Sequence, residues 1–157
     1  MLGSISKDFE LHPLDVFYTL DVNQTRLASF DSLSGGEIEI GVIKHNVVYE
    51  SGEYVTMFLP GPTQYAPIVL ERGYGNTKEL YNWFVQANLG KIAAARKNVT
   101  ITLNIPKDGS FTPMVSWNLI NAWPSKISGF SSNQESNARL ARFSITLMAE
   151  SIERIDP

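Results

Sequence analysis

Apolar and polar side chains alternate with a period of two along most of this chain, as they do in strands with one buried and one wet face. In "DVFYTLD", Val16, Tyr18 and Leu20 share a side. In "GGEIEIGVI", Ile38, Ile40 and Val42 share one and Glu37 and Glu39 face the other way. "NVTITLNI" sets Val99, Ile101, Leu103 and Ile105 against Thr100, Thr102 and Asn104, and Lys107-Asp108-Gly109 follows as a turn, which predicts a hairpin. The returning strand, "MVSWNLINAW", puts Val115, Trp117, Leu119 and Trp123 on one side until Pro124 ends the ladder. The last run aligns Phe143, Ile145 and Leu147, while residues 44–67 are rich in turn formers and read as an extended hairpin or loop. The expected fold is mainly β.

One stretch has helical spacing instead. Leu80, Trp83, Phe84 and Ala87 fall on a single stripe between Asn76 and Gly90. Asn76 suits an N-cap that Glu79 supports by reaching back, and Gly90 stands where a helix ends. One helix is therefore expected alongside the sheets, with Leu80, Trp83, Phe84, Trp117 and Trp123 in the core. The preceding Gly73-Tyr74-Gly75 turn sits where phosphate-binding loops are built, but its continuation Asn76-Thr77-Lys78 lacks the Gly-Lys-Ser/Thr of a Walker loop. A dinucleotide fingerprint would need a third glycine at Lys78 and a βαβ setting. Turn and cap chemistry explain the stretch.

Composition narrows the function. The 157 residues, 43% hydrophobic and 18% charged, suit a single domain spanning 1–157 with a real core. A net charge of −3 with scattered Lys and Arg gives no broad attraction for nucleic-acid phosphate. The absence of cysteine removes disulfides, thiolate metal sites and thiol nucleophiles. No signal-like apolar segment opens the chain and no run approaches the roughly 20 apolar residues of a membrane helix, so production in the cytoplasm is expected.

Candidate chemistry is sparse. His12 and His45 are the two imidazoles, too few for a multi-histidine metal site and little for a Ser-His-acid triad. Glu37 and Glu39, two apart on a strand, stand about 7 Å apart, within glycosidase geometry, but no apolar wall in the sequence would tune them. No enzyme activity and no cofactor are expected. A monomeric barrel binding a small apolar ligand, lined by Trp117 and Trp123, is the alternative. The uncharged, proline-free runs Ser144–Met148 and Val99–Leu103 point instead to strand edges ready to pair with another chain, because monomers usually blunt such edges with charge or proline.

Four segments in order, "PIVLERGYGNTKELYNWFVQANLGK", "KNVTITL", "WNLINAWPSKISG" and "NARLARFSITLMAESIERI", resemble the tail tube proteins of contractile phages and the Hcp-like inner-tube proteins of contractile injection systems. The resemblance runs from Val16 to Ile155. It rests most on the Arg-Gly turn before a Trp-bearing helix, on Asn121-Ala122-Trp123-Pro124, and on the closing Glu150-Ser151-Ile152-Glu153-Arg154. Where members carry a Gly-Leu turn after the first strand, this chain has Phe30-Asp31-Ser32-Leu33-Ser34-Gly35-Gly36. The resemblance implies two packed antiparallel sheets with a helix alongside and six copies per ring. The rings would stack into a tube inside a sheath, with baseplate and tube-terminating proteins as partners and DNA or effector protein as passing cargo. If each copy gives four strands to a shared barrel, about 24 strands at ~4.8 Å and ~40° tilt give a backbone diameter of roughly 48 Å. The closing strand, Phe143, Ser144, Ile145, Thr146, Leu147 and Met148, is then the expected intersubunit edge. Glu37, Glu39, Thr100, Thr102 and Asn104 are the expected lining of the lumen.

The turn reading of Gly73 and Gly75 has a direct check. Calorimetric titration with ATP, GTP or NAD is expected to show no binding, and micromolar affinity for any of them would overturn it.

Overall fold

A computed structural model describes residues 16–73, 77–129 and 142–156. The strands are β1 (Phe17–Val22), β2 (Thr25–Phe30), β3 (Ser32–Gly35), β4 (Ile38–Val48), β5 (Tyr54–Tyr65), β6 (Ile68–Gly73), β7 (Lys97–Lys107), β8 (Ser110–Ser128), β9 (Arg142–Met148) and β10 (Ser151–Ile155). Between β6 and β7 lie the helix α1 (Lys78–Asn88) and the single turn α2 (Ile92–Ala95). All pairings are antiparallel. One sheet runs β2-β1-β7-β8-β10 and the other β8-β9-β6-β3, so β8 belongs to both, while β4 and β5 form a separate ribbon.

Local chemistry explains the tight connections. Asp108 and Gly109 both take positive φ, 51° and 78°, between the paired Lys107 and Ser110, the twist a two-residue hairpin needs. Asn23 and Gln24 do the same between Val22 and Thr25. At the end of α1, Gly90 at φ 77° donates to the Ala87 carbonyl at 3.1 Å and Lys91 donates to that of Gln86 at 3.1 Å, the paired bonds of a glycine-stopped helix. The start differs from the expected capping box. Thr77 is the cap residue without a side-chain bond, and its carbonyl takes the first helical bond from the Tyr81 amide at 2.9 Å. Glu79 still lies in the first turn, where its charge complements the helix dipole. Tyr74, Gly75 and Asn76 lie outside the described residues, so the phosphate-loop question rests there on sequence alone.

β8 passes from one sheet to the other at Asn121. Lys97 pairs with Ala122 and Val99 with Leu119, so β8 carries one residue more than β7 between these pairs. Asn121 absorbs it at φ 51°, and its amide donates to Asn98 Oδ1 at 3.0 Å. The extra residue shifts the alternation: Leu119 points inward, then Ala122 and Pro124, all fully buried. Trp123 is thereby turned outward and is 37% exposed, which corrects the expectation that it lies in the core. Pro124 does not end the strand either. It pairs with Leu147 beside a second irregularity, and β8 continues to Ser128.

A single core fills the space between the sheets, with Leu20, Phe30, Val99, Ile101 and Leu119 from one and Leu70, Ile145 and Leu147 from the other. Helix α1 closes it with Leu80 and Trp83, while Phe84 and Trp117 are half-buried. The Trp83 indole N–H donates to the Ala95 carbonyl at 2.6 Å, fastening α2 to α1, and the Lys97 ammonium lies 5.9 Å from its ring centre. At the far end, the Arg142 guanidinium bonds Asp31 at 2.9 Å and ties β9 to the β2–β3 corner. Its proton affinity is raised, first by that hydrogen bond and further by the charges of Asp31 and Glu71, against a desolvation that lowers it.

The indole carries two separable contributions. Trp83→Ala is expected to cost about 3–5 kcal/mol through the cavity it leaves. Trp83→Phe should cost about 1–3 kcal/mol, because the ring is kept but the Ala95 carbonyl loses its donor. Denaturant melts check both, and an alanine variant as stable as wild type would place the ring outside the core.

Candidate functional site

The surfaces that stand out are a projecting ribbon, a polar sheet face, the free strand edges and one apolar groove. The β4–β5 ribbon projects from the packed sheets: Tyr65 at its root packs against the core, and among the described residues its two strands pair with each other alone. Its strands of 11 and 12 residues pair from Ile38 with Tyr65 to Val48 with Tyr54, giving an arm of roughly 35 Å. The tip closes through the Gly52 amide on the Tyr49 carbonyl at 2.8 Å and the Tyr49 amide on Glu53 at 3.0 Å.

Glycines set where the arm leaves the body. A Cβ on Gly35, which has φ 79°, would come within 2.1 Å of the Pro67 carbonyl oxygen, and the Gly36 amide donates to that same oxygen at 3.0 Å. Thus the segment that replaces the family's Gly-Leu turn forms β3 and the arm's root. Further out the register shifts between Ile40 and Val42, where a Cβ on Gly61 would stand 3.1 Å from the Gly41 carbonyl oxygen. Pro60 and Pro62 flank that kink on β5, and β4 has no proline.

Both sides of the arm carry exposed apolar side chains. Past the kink, Ile43–Leu59, His45–Met57 and Val47–Val55 pair on one face, and Lys44–Phe58, Asn46–Thr56 and Val48–Tyr54 on the other. Ile40, Val42 and Phe58 are 57%, 67% and 66% exposed, so the expected one-sided burial of Ile38, Ile40 and Val42 does not occur within the chain. A two-stranded ribbon is marginal in water, and contiguous exposed apolar area marks a surface that another molecule covers.

On the large sheet, the face opposite the core carries short polar side chains that bond across strands. Thr100 donates to Asn118 at 2.9 Å, Thr102 meets Ser116 at 3.1 Å, and Asp21 pairs with Arg26 at 3.3 Å. Thr100 and Thr102 thus share the wet face expected of them. Asn104 stands on the same face but is buried there: it is 8% exposed and donates to the Thr102 carbonyl at 3.2 Å and to the Thr19 hydroxyl at 3.5 Å. Beside it, its register partner Phe17 packs edge-on against Phe111, with ring centres 4.7 Å apart. Glu37 and Glu39 are exposed at the root and on the first residues of the arm, away from this sheet.

The strand edges fall elsewhere than the uncharged runs suggested. β9, Phe143 to Met148 included, pairs with β6 on one side and β8 on the other, and Phe143, Ile145 and Leu147 are buried. β7 likewise lies between β1 and β8. Both ladders are satisfied within the chain, and that is why they need no charge or proline. Among the described residues, the edges without a partner strand are those of β2, β3, β10 and the arm.

Between the end of α1, α2 and the bend of β8 lies a groove of about 220 Å3 lined by Ala87, Gly90, Ile92, Ala95, Arg96 and Trp123. Trp117 is not part of it, so the two indoles do not line one cavity. Arg96 reaches Glu150 at 3.4 Å, and Glu150 accepts from the Asn121 side chain at 2.8 Å, so the groove is built on the bend itself. Among the described residues no group of three or more His, Asp or Glu could hold a metal, and no helix is long and apolar enough to cross a membrane. His12 lies outside the described residues, and His45 stands alone on the arm. Sequence reasoning missed the arm's Met57, Phe58 and Leu59, and it singled out Asn121 and Glu150 as marks of the resemblance without their role at the bend. The alternation in "YVTMFL" was the available signal for the first set.

A family model described as T4-like virus tail tube protein gp19 matches residues 15–153. A chain of the extracellular contractile injection system PVC sheath-tube complex in the extended state is 25% identical, with a TM-score of 0.69, covering 100% of this chain and 99% of that one. A chain of the PVC sheath/tube terminator in the extended state is 27% identical, with a TM-score of 0.63, covering 88% and 92%. One of the anti-feeding prophage cap, the AFP tube terminating cap, is 26% identical, with a TM-score of 0.64, covering 89% and 88%. No curated protein sequence matches.

Proposed function

The chain belongs to the T4-like virus tail tube protein family, and from that premise we propose that it builds the inner tube of a contractile tail or injection particle as hexameric rings stacked within a sheath. The observation that carries this reading is the arm: a long apolar ribbon, exposed on both faces, on an otherwise well-packed body. Neighbouring copies cover it in the assembly and gain from removing its area from water. The free edges of β2, β3 and β10 supply backbone groups for closing a barrel around the ring, and closure removes the exposed edges and makes the wall stiff.

The role is mechanical. The sheath drives the tube into the target, with baseplate and tube-terminating proteins at its ends and DNA or effector protein moving through it. No catalytic step is required of this chain, and no stable membrane association. It is made in the cytoplasm and incorporated into the particle as one tube domain. We assign the polar sheet face of Thr100, Thr102, Ser116 and Asn118 to the lumen: its hydroxyls and amides bond one another across strands, leaving few groups to hold passing cargo. Cationic side chains there would grip phosphate.

Two experiments test these assignments. Ile43→Asp with Leu59→Asp changes side chains already exposed, so unfolding free energy should move by no more than about 0.5 kcal/mol. Rings and tubes should be absent from the same preparation by negative-stain electron microscopy; tubes as abundant as wild type would remove the arm from the assembly. Thr100→Lys with Thr102→Lys should leave tubes intact but slow delivery of a nucleic-acid or acidic cargo, most at low salt. Unchanged delivery would move the lumen to another face.

A further inference from the structure

Resting on the tube reading, we propose that the tip of the arm, residues 49–54, docks in the groove between α1 and α2 of a second copy of this chain. The tip reads Tyr49-Glu50-Ser51-Gly52-Glu53-Tyr54. Its turn is closed by its own backbone bonds, and both tyrosines and both glutamates are exposed. The groove offers the complement. Its wall of Ala87, Ile92, Ala95 and Trp123 is apolar and large enough for one aromatic ring, with Ile92 and Trp123 exposed at its mouth. Exposed Lys91 lies in sequence between the lining residues Gly90 and Ile92, and Arg96 lines the groove paired with the acid Glu150, while the tip carries two acids and no base. Opposite charge around an apolar anchor fixes orientation and speeds encounter.

Reach and symmetry favour a second copy as the occupant. Among the described residues, the arm's strands pair with each other and with no other strand. Its reach of roughly 35 Å is about the width of a small domain, which carries the tip beyond its own body. Tip and groove are different patches of one chain, so their contact is head-to-tail, and a contact of that kind continues from copy to copy, around a ring or along a stack, instead of closing a dimer. The tip's length and charge would then set which copy each arm engages, adding to the general burial of the ribbon.

The chain has no cysteine, so introduced thiols report this contact without background. Tubes carrying Ser51→Cys together with Ile92→Cys, mildly oxidised and then denatured, should run as a ladder of covalent multimers, and tubes carrying either substitution alone as monomer. A ladder from Ser51→Cys alone would put tip against tip, a bond from Ile92→Cys to the sheath protein would give the groove to the sheath, and intact tubes with no bond would leave the groove empty; each overturns the docking. Charge reversal supplies a second readout. Glu50→Lys with Glu53→Lys should abolish tubes, and adding Lys91→Glu, which leaves the Arg96–Glu150 pair in place, should restore them in part, a rescue that simple misfolding would not show. If the unsubstituted protein forms tubes and no crosslink appears, the docking fails and the tube reading stands. If it forms none even with its complete particle, both fail.

Discussion

The structure depends on one strand serving two sheets. β8 can do so because a single extra residue at Asn121 turns the backbone and resets which side chains point inward. That geometry is held by polar contacts at the corner: the Asn121 amide on Asn98, its side chain on Glu150, and Arg96 on the same carboxylate. Without the turn, Trp123 would be driven inward and Ala122 outward, and the space between the sheets would no longer match its contents. Helix α1 and its α2 extension pack over the same corner, with the Trp83 indole as the pin.

The chain divides its apolar residues between two purposes. Those of the sheets and α1 meet each other and make a body with its own core. Those of the arm beyond Tyr65 meet one another and stay largely exposed among the described residues. In the proposed tube, a body with its own core folds apart from its neighbours, and covering the arm's exposed apolar area is what assembly would gain. The glycines at the root separate the two by fixing where the arm leaves.

Much of the body was legible in the sequence because its signals are local. The Asp108-Gly109 hairpin, the stripe through Leu80 and Trp83, and the Gly90 stop each depend on residues within a few positions of one another. Trp123 misled because period-two counting assumes an unbroken strand, and one bulge inverts everything beyond it. The edges misled for a different reason. Whether Ser144 faces a neighbour or the chain's own β6 and β8 is decided by partners 73 and 16 positions away, Glu71 and Ser128. An uncharged run says only that a strand is paired, not with whom. The arm's pattern was visible, but alternation alone does not say that the apolar side is covered by another molecule.

Pro60 and Pro62 give the arm a further property. Before assembly, every newly made copy exposes a long β ribbon with apolar faces, the kind of segment that stacks into fibrils. Two prolines remove backbone donors from β5, and the kink beside them twists the ribbon away from the flat shape that stacking ladders require. One side of the ribbon is thus a poor template, so uncontrolled growth from it is starved of hydrogen bonds. The surface proposed to join copies in order is thereby kept from joining them in disorder.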